Sequence, residues 1–78
     1  MDKAERKEFM KLLGSRLRKL REKKNLTQSE VAKMNGISLR SYSKYECGRA
    51  LVGVKTLFKL ARFYGVTVSS LFAEEPKI

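Results

Sequence analysis

The fold turns on the stretch LTQSEVAKMNGISLRSYSKYECG, Leu26 to Gly48. Thr27 stands three residues before Glu30, the spacing at which a hydroxyl caps free backbone N–H groups while a carboxylate reaches back to the capping residue. Val31 and Ala32 supply the inward side of a short helix. Asn35-Gly36 stops it, because glycine tolerates the positive φ that such an end requires. Ile37 then enters the core and Ser38 caps a further helix, which runs to Glu46 or Cys47 before Gly48 ends it. Two short helices joined by a tight turn at a glycine are the outcome.

At about 100° per residue the second of these helices has two distinct sides. Leu39, Arg40, Ser43 and Lys44 cluster on one, and Tyr42 and Tyr45 lie opposite. The tyrosines are expected to pack inside, each ring reaching the rim or giving its hydroxyl a partner, with base stacking as the lesser alternative. The other side reads either as a solvated polar face or as a binding edge. Leu39 favours the binding edge, since solubility does not require an aliphatic residue there.

Outward from this stretch, apolar residues recur at helical spacing and no segment alternates with period two, so the chain is expected to be all-α. Upstream, helix one begins near Asp2, capped with the help of Glu5, and runs to about Lys24 with Phe9, Leu13, Leu17 and Leu20 on one face. Gly14-Ser15 predicts a weak point or kink, and Asn25 a left-handed stop. Downstream, helix four covers Val54 to Tyr64 with an inward stripe of Val54, Leu57, Leu60, Ala61 and Tyr64. Gly65 ends it. Thr67 or Ser69 caps a fifth helix of a turn or two carrying Leu71 and Phe72. The expected architecture is a compact five-helix domain over residues 13–73, with residues 1–12 lengthening helix one and residues 74–78 forming a tail.

Seventy-eight residues suffice for one modest core. Eighteen Lys and Arg against eight Asp and Glu give a formal net charge of +10, which selects a polyanionic partner, nucleic acid ahead of an anionic membrane surface. There is no histidine, and the one cysteine, Cys47, cannot form an intrachain disulfide. Zinc-finger ligand sets are thereby excluded, no cofactor or metal is expected, and a reducing cytoplasm is the expected compartment. Without a histidine base or a Gly-rich phosphate loop, the chain is not expected to be an enzyme. No apolar run approaches the roughly 20 residues that span a bilayer.

The run RLRKLREKKNLTQSEVAKMNGIS, followed by YECGR and VKTLFKLARFYGVTVSSLF, resembles the lambda-repressor-like helix-turn-helix family, also called Cro/cI or XRE. Its landmarks here are Arg21, Leu26 to Gln28, Ala32, Gly36, Ser38, Glu46, Gly48, Leu57 to Ala61 and Gly65-Val66. The resemblance implies that the second helix of the pair reads base edges in the major groove, through Ser38, Leu39, Arg40, Ser43 and Lys44. It implies DNA phosphate contacts from Thr27, Gln28, Arg21, Arg49 and Lys55, and a structural ion pair between Arg21 and Glu46. It also implies a homodimer, whose contact is assigned to Phe58, Val68 and Phe72 with core filling as an equal alternative. Cys47 reads as a small residue at the protein–DNA boundary, with redox sensing as a minor alternative. Two features depart from the family: Val52-Gly53 replaces the usual Pro-Ser before helix four, and residues 1–12 precede the usual start. The extension is expected to add packing through Phe9, with a basic arm on DNA as the alternative.

The expected function is that of a sequence-specific DNA-binding transcription regulator, a dimeric repressor of a palindromic operator in double-stranded DNA. An antitoxin or adaptor-type module that binds a protein partner through the same fold is the rival reading, and RNA binding is a weaker third.

Overall fold

Every helix but the one that starts at Val54 begins on a side chain that accepts from a free backbone N–H, and these caps set the architecture. The computed structural model describes residues 1–72; the expected tail over 74–78 lies outside the described residues. Helix α1 spans Lys3–Lys23, α2 Gln28–Met34, α3 Leu39–Glu46 and α4 Val54–Tyr64, followed by a 3₁₀ turn, Ser69–Phe72. Asp2 accepts from the Glu5 N–H at 2.8 Å, and Thr27 from the Glu30 N–H at 3.1 Å. The Glu30 carboxylate in turn accepts from the Thr27 N–H at 2.9 Å, completing the capping box read from the spacing. Ser38 accepts from the Ser41 N–H at 3.0 Å and so starts α3.

All four helices end with one device. Asn25, Gly36, Gly48 and Gly65 have positive φ, and the residue after each donates its N–H to a carbonyl five positions back. Gly36 matters most here, because its φ of 65° reverses the chain between α2 and α3.

The core consists of Leu13 and Leu17 from α1, Val31 and Ala32 from α2, Tyr42 from α3, Leu60, Ala61 and Tyr64 from α4, and Leu71 from the 3₁₀ turn. Each helix contributes its inward stripe, so burial of these side chains fixes how α2 and α3 sit on α1 and α4. Phe9 stacks on Phe72 with ring centroids 4.7 Å apart, which ties the start of α1 to the last turn. Val52, in the loop that departs from the family, packs against the core.

Three expectations are corrected. Four α-helices are present among the described residues, and the expected fifth helix is a single 3₁₀ turn closed by Ser70 N–H to Thr67 O at 3.2 Å and Leu71 N–H to Val68 O at 3.1 Å. Among the described residues after Gly65 the chain closes one turn, with the i to i+3 bonding of a 3₁₀ helix. The Gly14-Ser15 pair does not interrupt α1. Gly14 is buried where α3 ends against α1: a methyl group on it would stand 2.5 Å from the carbonyl oxygens of Tyr45 and Glu46. Val54 is 72% exposed, because the first turn of α4 extends past the core.

Candidate nucleic-acid interface

Local sequence places the candidate edge. Ser38 begins α3, so the next residues occupy its first turn, and burial of Tyr42 turns the opposite side outward. Leu39 is 49% exposed; Arg40 and Lys44 are also exposed, and Ser43 is half-buried. The structure thus brings Leu39, Arg40, Ser43 and Lys44 together on one edge. Ser38 stands exposed at its start, its hydroxyl engaged with the Ser41 N–H and 2.9 Å from the Ser41 hydroxyl.

Beneath that edge lies a polar network that joins all four helices. Arg21 of α1 donates from Nε to Glu46 Oε2 at 2.7 Å and from Nη2 to Glu46 Oε1 at 3.1 Å. Its Nη1 donates to the Leu26 carbonyl at 2.9 Å. Gln28 of α2 donates from Nε2 to Glu46 Oε1 at 3.0 Å. The Tyr42 hydroxyl bonds the Tyr64 hydroxyl of α4. The side chains of Arg21 and Glu46 are 14% and 2% exposed, so the pair is taken out of water and is held by two-pronged geometry.

The electrostatics follow from this packing. Burial pushes the Glu46 carboxyl up, but hydrogen bonds from Arg21, Gln28 and Tyr42 outweigh it, and its pKa lies below the ordinary carboxylate value. The Glu46 hydrogen bond raises the already high pKa of Arg21. Burial raises both the Tyr42 and Tyr64 phenols, so both stay protonated and remain hydrogen-bond donors across the physiological range.

Two residues expected at phosphates also make hydrogen bonds inside the domain. The Arg21 guanidinium donates from all three nitrogens inside the domain, and one hydrogen on each Nη lies outside these bonds. One amide hydrogen of Gln28 is committed to Glu46, which leaves the other for an outside acceptor. Thr27, Arg49 and Lys55 are exposed, and Cys47 is an exposed free thiol. The apolar surplus assigned to a dimer contact is divided: Phe58 is 56% exposed, whereas Val68 and Phe72 are half-buried against the core. Leu51 and Val54 are exposed as well and escaped the sequence reading, since Val54 fits the α4 stripe and Leu51 lies in a loop. Their only signal was apolar character at or just before a helix start.

No helix among the described residues is long and apolar enough to cross a membrane. No solved structure matches the chain. The Helix-turn-helix family model matches residues 17–71. The chain is 40% identical over 60 residues to the SPbeta prophage-derived uncharacterized HTH-type transcriptional regulator YonR of Bacillus subtilis, covering 77% of this chain and 56% of the relative. It is 36% identical over 63 residues to the cryptic phage CTXphi transcriptional repressor RstR of Vibrio cholerae, covering 81% of this chain and 57% of the relative. With the uncharacterized HTH-type transcriptional regulator y4dJ of Sinorhizobium fredii, identity is 42% over 60 residues, covering 77% of this chain and 78% of the relative. The chain spans little more than half the length of the first two relatives. With the helix pair, its tight turn and the family match over most of the chain in agreement, the protein belongs to the XRE/cI-type helix-turn-helix family.

Proposed function

We propose that this protein is a sequence-specific DNA-binding transcription regulator, a dimeric repressor that acts on a palindromic operator. The observation that carries the reading is the outward edge of α3, where Leu39, Arg40 and Lys44 are exposed while Tyr42 and Glu46 are buried behind them. An edge of this kind fits the major groove, with Arg40 donating twice to guanine O6 and N7 and Leu39 packing on a thymine methyl. Ser38, Ser43 and Lys44 supply further base or phosphate contacts. Thr27, the remaining amide hydrogen of Gln28, Arg49 and Lys55 hold the backbone and set the register. The net charge of +10 supplies the long-range attraction for such a partner.

Dimerisation is assigned to Phe58 and Val54, one turn apart on α4, with Leu51 beside them in sequence. A two-fold pair would present two α3 edges to half-sites about one helical turn apart, and occupancy would block polymerase. The same apolar patch supports the rival adaptor reading.

Selection from random duplex DNA followed by footprinting tests both. A two-fold symmetric footprint and a sequence preference are expected, with affinity falling about 10³- to 10⁵-fold between about 50 and 200 mM salt for about 6 to 10 phosphate contacts. No enriched sequence, a flat salt response and a stoichiometric protein partner would support the adaptor instead.

A further inference from the structure

Five of the nine basic residues of α1 share one edge of the helix. Lys3, Lys7, Lys11, Gly14, Arg18 and Arg21 follow one another at steps of four and three, which sets them on one edge of the helix. Glu5 and Glu8 fall on another edge, where they line a shallow groove with Met1, Phe9 and Leu12, Lys11 bordering both. The two arginines at the far end of the stripe have acidic partners: Arg18 lies 3.7 Å from Glu22 and Arg21 is bound to Glu46. Among the described residues no acid pairs with Lys7 or Lys11.

The stripe runs along the side of α1 that meets α3. Arg21 reaches Glu46, Gly14 abuts the carbonyls of Tyr45 and Glu46, and Gly48 packs so closely that a methyl group on it would stand 3.1 Å from Lys11 Cα and Cγ. The chain end of α3 therefore rests on α1 between Lys11 and Gly14. Lys7 lies one turn beyond this crossing, and Arg49 follows Gly48 directly. All three cations are exposed.

We infer that the first turns of α1 form a further binding surface for the DNA backbone, in which Lys7 and Lys11, with Arg49, hold phosphates next to the segment that α3 reads. Lysine suits this role, being a flexible point charge that reads no base. The two acids of these first turns, Glu5 and Glu8, lie on the groove side, which leaves Lys3, Lys7 and Lys11 as the charged residues of the edge that meets α3. This inference rests on the DNA-binding reading above and extends its footprint.

The test compares the full chain with the K7Q/K11Q variant on the selected duplex. Both residues are exposed, so the variant is expected to unfold at the wild-type temperature. Its plot of log affinity against log salt is expected to be shallower by about 0.9 for each phosphate contact removed, with the ratio of specific to random binding unchanged. Single uncharged methylphosphonates at phosphates adjoining the half-sites are expected to weaken the wild type at positions where the variant is insensitive. A variant with the wild-type salt slope, or with the same sensitivity at every methylphosphonate, overturns this inference alone. A wild-type chain that binds no duplex overturns it together with the function it rests on.

Discussion

The two sides of α3 are built on opposite physical terms. The inner side holds Tyr42 and Glu46, buried and joined by hydrogen bonds to α1, α2 and α4. The outer side holds the side chains of Leu39, Arg40 and Lys44, exposed and without a hydrogen bond or ion pair among the described residues. A helix of eight residues has little stability of its own, so its orientation must come from its inner contacts. The difference implies that changes on the inner side act through folding and blur every DNA contact together, whereas changes on the outer side leave folding intact and alter single contacts.

The strongest way to break that division is Glu46→Ala. It strands the Arg21 guanidinium, and chemical denaturation is expected to show a loss of about 3 to 5 kcal/mol, the cost of opening a buried pair from one side. Acid should reach the same group without mutation. Glu46 has a folded-state pKa below its ordinary value of 4.5, so its contribution is complete above about pH 4.5 and is lost as pH falls through the folded-state value. Unfolding followed across that window is expected to steepen in the wild type and to flatten in Glu46→Gln.

Next comes Gly14→Ala, which forces a methyl group against the carbonyls of Tyr45 and Glu46 and should cost about 1 to 3 kcal/mol through displacement of α3. Thermal unfolding measures it, and wild-type stability would show that α1 and α3 lie further apart than described. Thr27→Ala sharpens the comparison from the side of α2. It removes the acceptor for the Glu30 N–H and should cost about 1 kcal/mol, read from the denaturation midpoint.

Much of this arrangement was legible in the chain because it is local. The capping box of Thr27 and Glu30, the cap at Ser38 and the stops at Asn25, Gly36 and Gly48 each involve neighbours within a few residues. The outward edge of α3 was equally legible from helical spacing, and the Arg21–Glu46 pair came from family resemblance. What escaped was contact between distant parts. Gly14 read as a kink because only its juxtaposition with Tyr45 and Glu46 reveals a close approach. The tie from Gln28 to Glu46 spans 18 positions and that from Tyr42 to Tyr64 spans 22. Val54 satisfied the α4 periodicity yet lies beyond the reach of the core, which periodicity cannot register.

The central claim is that the outer side of α3 reads sequence while the inner side only holds it. The most direct measurement is the affinity of Arg40→Ala for the selected operator and for random duplex DNA, at one salt concentration. A loss of about 1 to 3 kcal/mol on the operator, relaxed preference at one base pair and little change on random DNA are expected, with the unfolding midpoint unaltered. Equal losses on both duplexes, or undiminished preference at every base pair, would contradict the account.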